Sequence, residues 1–161
     1  MSYWFAIMKK IGSKKYQDQI SYLKENFGFS QVHANALVMY SRGSRSSQRF
    51  SSPTDYFSAL PPVQAKTARK IFSTLKKKFP SIEVVIAWNQ PMAKIDNAYV
   101  FGLSASKNHL LIAPWSTKVL NDFLPRLRDL DVKKKTIGIP NDWKVNEKLI
   151  CDMVKARINE L

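Results

Sequence analysis

The sequence predicts an α+β fold: a mostly antiparallel sheet of about five strands with helices packed on one face, plus a small N-terminal helical unit. Three observations predict it. Between Ile82 and Ala113, four short apolar runs alternate with segments too short to carry a crossover, so neighbouring strands must run antiparallel. Helical apolar stripes flank these runs on both sides, which segregates helices from the sheet in sequence. A stretch of small polar and basic residues, Ser41 to Ser52, carries no apolar period. It divides the chain into a helical unit over 1–40, a Ser/Arg-rich linker over 41–53 and an α+β domain over 54–161.

In the first part, Tyr16, Ile20, Leu23 and Phe27 recur at helical spacing, and Gly28 follows as a helix stop. Ser30 is placed to cap a second helix, whose packing face holds Val32, Ala36, Leu37 and Tyr40. After the linker, Thr54 is the expected cap of a short helix through Ala59, and Pro61-Pro62 opens a longer one. Ala68, Ile71, Phe72, Leu75 and Phe79 form its apolar face, and Pro80 ends it. Lys76, Lys77 and Lys78 fall in its last turn, where cations complement the helix dipole.

The predicted strands are Ile82 to Trp88, Met92 to Ile95, Tyr99 to Ala105, His109 to Ala113 and Lys135 to Ile139. In the third, alternation puts Tyr99, Phe101, Leu103 and Ala105 on the face toward the helices, with Val100, Gly102 and Ser104 opposite. Val119 to Leu127 reads as a helix that Pro125 kinks or splits, and Val145 to Leu161 as a closing helix.

The pieces Tyr56-Phe57-Ser58-Ala59-Leu60-Pro61, Trp88-Asn89-Gln90-Pro91-Met92, Val100 to Ala105, Lys107-Asn108-His109-Leu110 and Lys135-Thr136-Ile137, in this order, resemble the YdhG-like family. That family gathers mostly uncharacterised bacterial domains, and one branch is described as intracellular iron chaperones of frataxin type. The resemblance implies a frataxin-like α+β architecture for residues 54–161 and a binding rather than a catalytic role, with ligand or iron handling as the activity it lends. Residues 20–40, with His33-Ala34-Asn35-Ala36-Leu37-Val38, resemble a small helical domain of unknown function that often precedes it. Where the family usually has glycine after the tryptophan of the turn, this chain has Asn89, the side chain that best replaces glycine at positive φ.

Charge is the global anomaly: 26 Lys and Arg against 12 Asp and Glu give a formal net charge of +14. Such a field attracts polyanions and repels metal cations. The carboxylates are scattered, with Asp129 and Asp131 nearest to a cluster and Lys133, Lys134 and Lys135 directly after them. His33 and His109 belong to no ligand pair, and Cys151 has no second cysteine, so no metal site and no cofactor is expected. No Gly-rich phosphate loop, nucleophile with base, or carboxylate pair marks an enzyme. With no run of about 20 apolar residues and no basic-then-apolar leader, a cytoplasmic protein with no membrane partner is the expectation.

Two binding readings stand. Trp88, Asn89, Pro91, Tyr99, Lys107, His109 and Thr136 are candidates to line a pocket for an anionic ligand, with Lys107 and His109 on one strand face if that strand begins early. Lys14, Lys15, Arg42, Arg45 and Arg49 are candidates to hold nucleic acid or another acidic macromolecule through its charge alone.

Overall fold

The computed structural model describes residues 2–44 and 49–161. Arg45 and the middle of the 41–53 stretch lie outside the described residues. The chain forms two compact units, residues 1–49 and 50–161.

The first unit contains three helices: α1 (Ser2–Lys10), α2 (Tyr16–Phe27) and α3 (Gln31–Ser41). Gly28 closes α2 with φ 66°, and the Ser30 hydroxyl accepts a hydrogen bond from the His33 amide at the start of α3. Helix α1 escapes the sequence reading because no acidic residue marks its first turn. Its Met8, with Ile11 just beyond, joins Ile20, Leu23, Ala34 and Val38 in a small core. Val32, Ala36 and Tyr40 are exposed rather than part of the packing face of α3, which is built on Ala34 and Val38 instead.

The second unit is built on a six-stranded antiparallel sheet, ordered β1-β2-β3-β4-β6-β5. The strands are β1 (Glu83–Ala87), β2 (Gln90–Ile95), β3 (Ala98–Ala105), β4 (His109–Ala113), β5 (Asp131–Val132) and β6 (Ile137–Pro140). The two-residue β5 is the strand that periodicity does not reveal. Helix α4 (Pro53–Ser58) is capped by Ser52, not Thr54: the Ser52 hydroxyl accepts from the Asp55 amide, and Pro53 occupies the first turn. Helix α5 (Pro62–Lys78), α6 (Thr117–Phe123) with a 3-10 turn at Leu124–Arg126, and α7 (Glu147–Ile158) complete the unit. The expected break at Pro125 is this 3-10 turn.

One face of the sheet packs against the helices. Ala93, Phe101, Leu103, Leu110, Ile112, Ile137 and Ile139 are all almost fully buried there, with Ile71, Phe72 and Leu75 of α5 and Ile150, Met153 and Val154 of α7. Phe72 meets Phe101 edge to face, with ring centroids 6.0 Å apart. Buried Gln64 and Thr67 of α5 bind the segment after β6: the Gln64 amide donates to Asn141 Oδ1 at 2.8 Å, and the Thr67 hydroxyl to the Asn141 carbonyl at 2.7 Å.

The pairing of β2 with β3 contains a bulge. Ala93 faces Phe101 while the next residue, Lys94, faces Tyr99, which leaves Val100 as the extra residue. Val100 turns into the helix-packed core, and Tyr99 therefore points to the opposite face, against the strict alternation expected of β3. The Arg157 side chain at the end of α7 donates to the Tyr99 carbonyl at 3.3 Å, which ties the bulge to the helix layer.

A candidate ligand site on the opposite face of the sheet

The β1–β2 hairpin turns through Trp88 and Asn89, with φ of 50° and 63°. Positive φ at both central residues is what a two-residue type I′ turn requires. Asparagine tolerates that conformation; tryptophan adopts it at a cost of about 1–2 kcal/mol. Asn89 is held by more than its backbone, because its Oδ1 accepts a 2.9 Å hydrogen bond from the Phe50 amide. A second tryptophan, Trp115, has φ 53° in the loop between β4 and α6, directly before Ser116, whose hydroxyl caps α6 by accepting from the Val119 amide.

These two strained tryptophans meet. Their rings stack with centroids 5.4 Å apart and planes 20° apart. Tyr99, turned to this face by the bulge, lies 5.2 Å from each. The cluster is not a core: Trp88 is 67% exposed and Trp115 39% exposed. Gly102 makes the arrangement sterically feasible. A Cβ at this position would lie 2.8 Å from both Met92 Sδ and Trp115 Nε1, closer than real contacts permit, so only glycine lets the indole lie over the strand.

Beside this aromatic wall is a pocket of about 380 Å3. Its floor includes Met92, Gly102, Ser104, Leu111 and Ala113 on β2, β3 and β4, and its rim includes Gln90, Lys135 and Thr136. The lining is mainly apolar, contains one cation and no carboxylate, and its size falls within the range of small-molecule sites.

Of the residues expected to line a ligand site, Trp88 and Thr136 line this pocket and Tyr99 joins its aromatic wall. Asn89 shapes the hairpin turn instead. Pro91 is buried and alternates with Met92 along β2, which puts it on the helix-packed face. Strand β4 begins at His109, so Lys107 lies in the preceding turn and shares no strand face with it. His109 is on the face of Leu111 and Ala113, but two residues beyond them and outside the lining. The sequence reading missed Met92, Gly102, Trp115 and Lys135. Gly102, a lone glycine inside an apolar strand, is the signal that pointed to a close approach at this place.

The Arg and Lys residues expected to meet polyanions do not act alike. Arg42 is committed within the first unit: its Nε donates to Gln19 Oε1 at 2.9 Å, its Nη2 to the Lys14 carbonyl at 3.2 Å, and its guanidinium lies over the Tyr16 ring. Lys14, Lys15 and Arg49 are exposed.

The curated protein named intracellular iron chaperone frataxin, from Bacillus subtilis strain 168, is 27% identical over 99 residues, which cover 60% of this chain and 80% of that protein. The crystal structure of a DUF1801-family protein (YdhG) from Bacillus subtilis superposes with a TM-score of 0.62 at 24% identity, covering 66% of this chain and 88% of that one. The second unit has a YdhG-like fold. An uncharacterized conserved protein from Lactobacillus casei ATCC 334 aligns with a TM-score of 0.47 at 24% identity, over 68% of this chain and 91% of that one. The family described as Domain of unknown function (DUF4287) matches residues 1–43 ahead of the YdhG-like unit.

In the YdhG-like unit six of the ten acidic side chains pair with bases. Glu83 pairs with Lys94, Asp122 with Lys118, Asp131 with Lys133, Glu147 with Lys70, Asp152 with both Arg126 and Lys148, and Glu160 with Arg157. Hydrogen bonding from Lys70 holds the Glu147 carboxyl below its usual range, and Lys148 followed by Arg126 does the same for Asp152. Among the described residues, no three His, Cys, Asp or Glu side chains come together as a metal-binding group.

Proposed function

We propose that the YdhG-like unit is a non-enzymatic ligand-binding domain whose site is the pocket walled by Trp88, Tyr99 and Trp115. The observation that carries this reading is the pair of tryptophans, both at positive φ and both substantially exposed, stacked over a glycine that clears space for them. Backbone strain at exposed aromatic residues stabilises nothing by itself. Where it persists, function is the usual reason.

The lining indicates the ligand chemistry. A flat or apolar body would lie against the indoles and Met92, and an anionic or acceptor end would face the Lys135 ammonium and the Thr136 and Ser104 hydroxyls. An organic cation is disfavoured, since an aromatic wall that selects cations gains from carboxylates and loses from a lysine at its rim.

A suitable probe is 1-anilinonaphthalene-8-sulfonate, which joins flat rings to an anion. Titration followed by tryptophan fluorescence and calorimetry should give saturable binding at one site. Gly102→Val, which fills the space over the strand, should abolish it in a protein that still melts cooperatively. Probe binding that survives Gly102→Val unchanged would refute the assignment.

Iron handling is the competing reading, supported by the name of the Bacillus subtilis relative. In this chain six of the ten carboxylates of the YdhG-like unit are already paired with lysine or arginine, and among the described residues no three His, Cys, Asp or Glu side chains come together to hold a metal. Calorimetric titration with ferrous and ferric iron separates the two: a defined stoichiometry indifferent to Gly102→Val would favour iron over the pocket.

A further inference from the structure

We infer that the outer face of α5 is a docking surface for the phosphate backbone of double-stranded nucleic acid, independent of the aromatic pocket. The sequence of α5 contains no acidic residue. Its buried side holds Ala65, Ala68, Ile71, Phe72 and Leu75. Its exposed side presents Lys66, Arg69, Lys70, Ser73, Lys76 and Lys77, with Val63 exposed at the first turn and Lys78 at the last residue. At about 100° per residue Lys66, Arg69, Lys70, Ser73, Lys76 and Lys77 fall within an arc of about 120°, forming one straight stripe.

The helix dipole accounts for lysines in the last turn. It does not account for Lys66 and Arg69, which lie in the first half of the helix. Of the five bases, Lys70 is paired, with Glu147 at 2.5 Å, and Arg69 donates to the Ser58 hydroxyl at 3.4 Å and has no ion-pair partner among the described residues. Lys66, Lys76 and Lys77 have no ion-pair partner among the described residues.

The composition of the stripe selects among polyanions. A membrane-surface helix needs an exposed apolar face, and here that face is consumed by the core. A protein interface is centred on aromatic or aliphatic anchors, and none stands among the six. Single strands are held by stacking on aromatic rings, which this face also lacks. What remains is a row of cations and one hydroxyl extending about 16 Å, the axial length of about five base pairs of duplex at about 3.4 Å each. With one arginine and no amide side chain on the stripe, the contact reads charge and not base sequence.

The test uses the full chain and a fluorescein-labelled duplex of about 20 base pairs, followed by anisotropy from about 50 to 200 mM salt. Four unpaired cations predict a log-log slope of about −4, and the Lys66→Gln/Arg69→Gln/Lys76→Gln variant should flatten it to about −1. Lys14→Gln/Lys15→Gln, in the other unit, should leave the slope near its starting value. Circular dichroism melting confirms that each variant is folded, as these are exposed positions. The proposal is overturned if the duplex does not bind at the lowest salt, or if the Lys14/Lys15 pair and not the α5 triple carries the slope. It is equally overturned if oligothymidylate, polyglutamate or phosphatidylserine vesicles bind more tightly than the duplex.

Discussion

The two faces of the YdhG-like sheet obey opposite rules. The helix-packed face is closed: Phe101, Leu110, Ile112 and Ile137 are each wholly buried, and the backbone beneath them is regular apart from one bulge. The opposite face leaves a tryptophan two-thirds exposed, places two tryptophans in a conformation suited to glycine, and includes a glycine that no other residue can replace without displacing an indole. Burial explains the first face completely. It does not explain the second, which is the physical reason for locating binding there and stability on the other side.

The largest effect should come from the closed face. Phe101→Ala removes a fully buried ring that contacts Phe72, and should destabilise the unit by about 3–5 kcal/mol in denaturant unfolding. If the loss were under about 1 kcal/mol, the distinction between the faces would fail at its stronger end.

Gly102→Val is the corresponding change on the opposite face. Its added carbons meet the Met92 sulfur and the Trp115 indole, both able to move, so the expected cost is about 1–3 kcal/mol, with complete loss of probe binding. Equal losses of stability for Phe101→Ala and Gly102→Val would mean that the aromatic cluster belongs to the core after all.

The elements of the fold were legible where local chemistry acts alone. Gly28 stops a helix, Ser30 caps one, and the apolar periods of α5 and α7 name the residues that become their buried faces. What sequence could not supply depends on long-range geometry. Strict alternation assigns Tyr99 to the wrong face because a bulge at Val100 reverses it, and the one local mark, Gly102 inside the strand, reads equally as a bulge or as a close approach. Trp115 reads as a loop residue until the fold brings it onto Trp88, 27 positions earlier in the sequence. Spacing groups Lys107 with His109, and the start of β4 at His109 separates them. Of the site, the sequence yielded the hairpin tryptophan, the tyrosine and Thr136, and lacked the glycine and second tryptophan that turn them into a wall.

A smaller effect tests whether charge contributes to the closed face. Asp152 on α7 joins Arg126 and Lys148 at 2.8 and 2.7 Å, with a side chain one-third exposed. Its depressed pKa means that its stabilisation is present above the ordinary carboxylate value near 3.9 and is lost as the pH falls through the lower, folded value. Asp152→Asn should therefore lower stability near neutrality by at most about 1 kcal/mol, and the gap from the parent should close in strong acid. A gap that widened in acid would reverse the sign of this linkage. A loss approaching that of Phe101→Ala would show that ion pairs, and not packing, close this face.

The smallest expected change in stability is also the most informative about the opposite face. Trp88→Gly removes an indole that is 67% exposed, so little buried area is lost. The substitution gives up stacking with Trp115 and Tyr99, worth about 0.5–1.5 kcal/mol per aromatic pair, and adds freedom to the unfolded chain. Against this, glycine relieves the positive-φ cost of about 1–2 kcal/mol at the same position. The opposing contributions should leave the unfolding free energy within about 1 kcal/mol of the parent, while affinity for the anilinonaphthalene probe falls at least about tenfold because half of the stacked wall is gone. A variant that bound the probe as before would remove Trp88 from the site. One that unfolded more easily by several kcal/mol would make its strain a structural necessity, and the opposite face a second core instead of a binding surface.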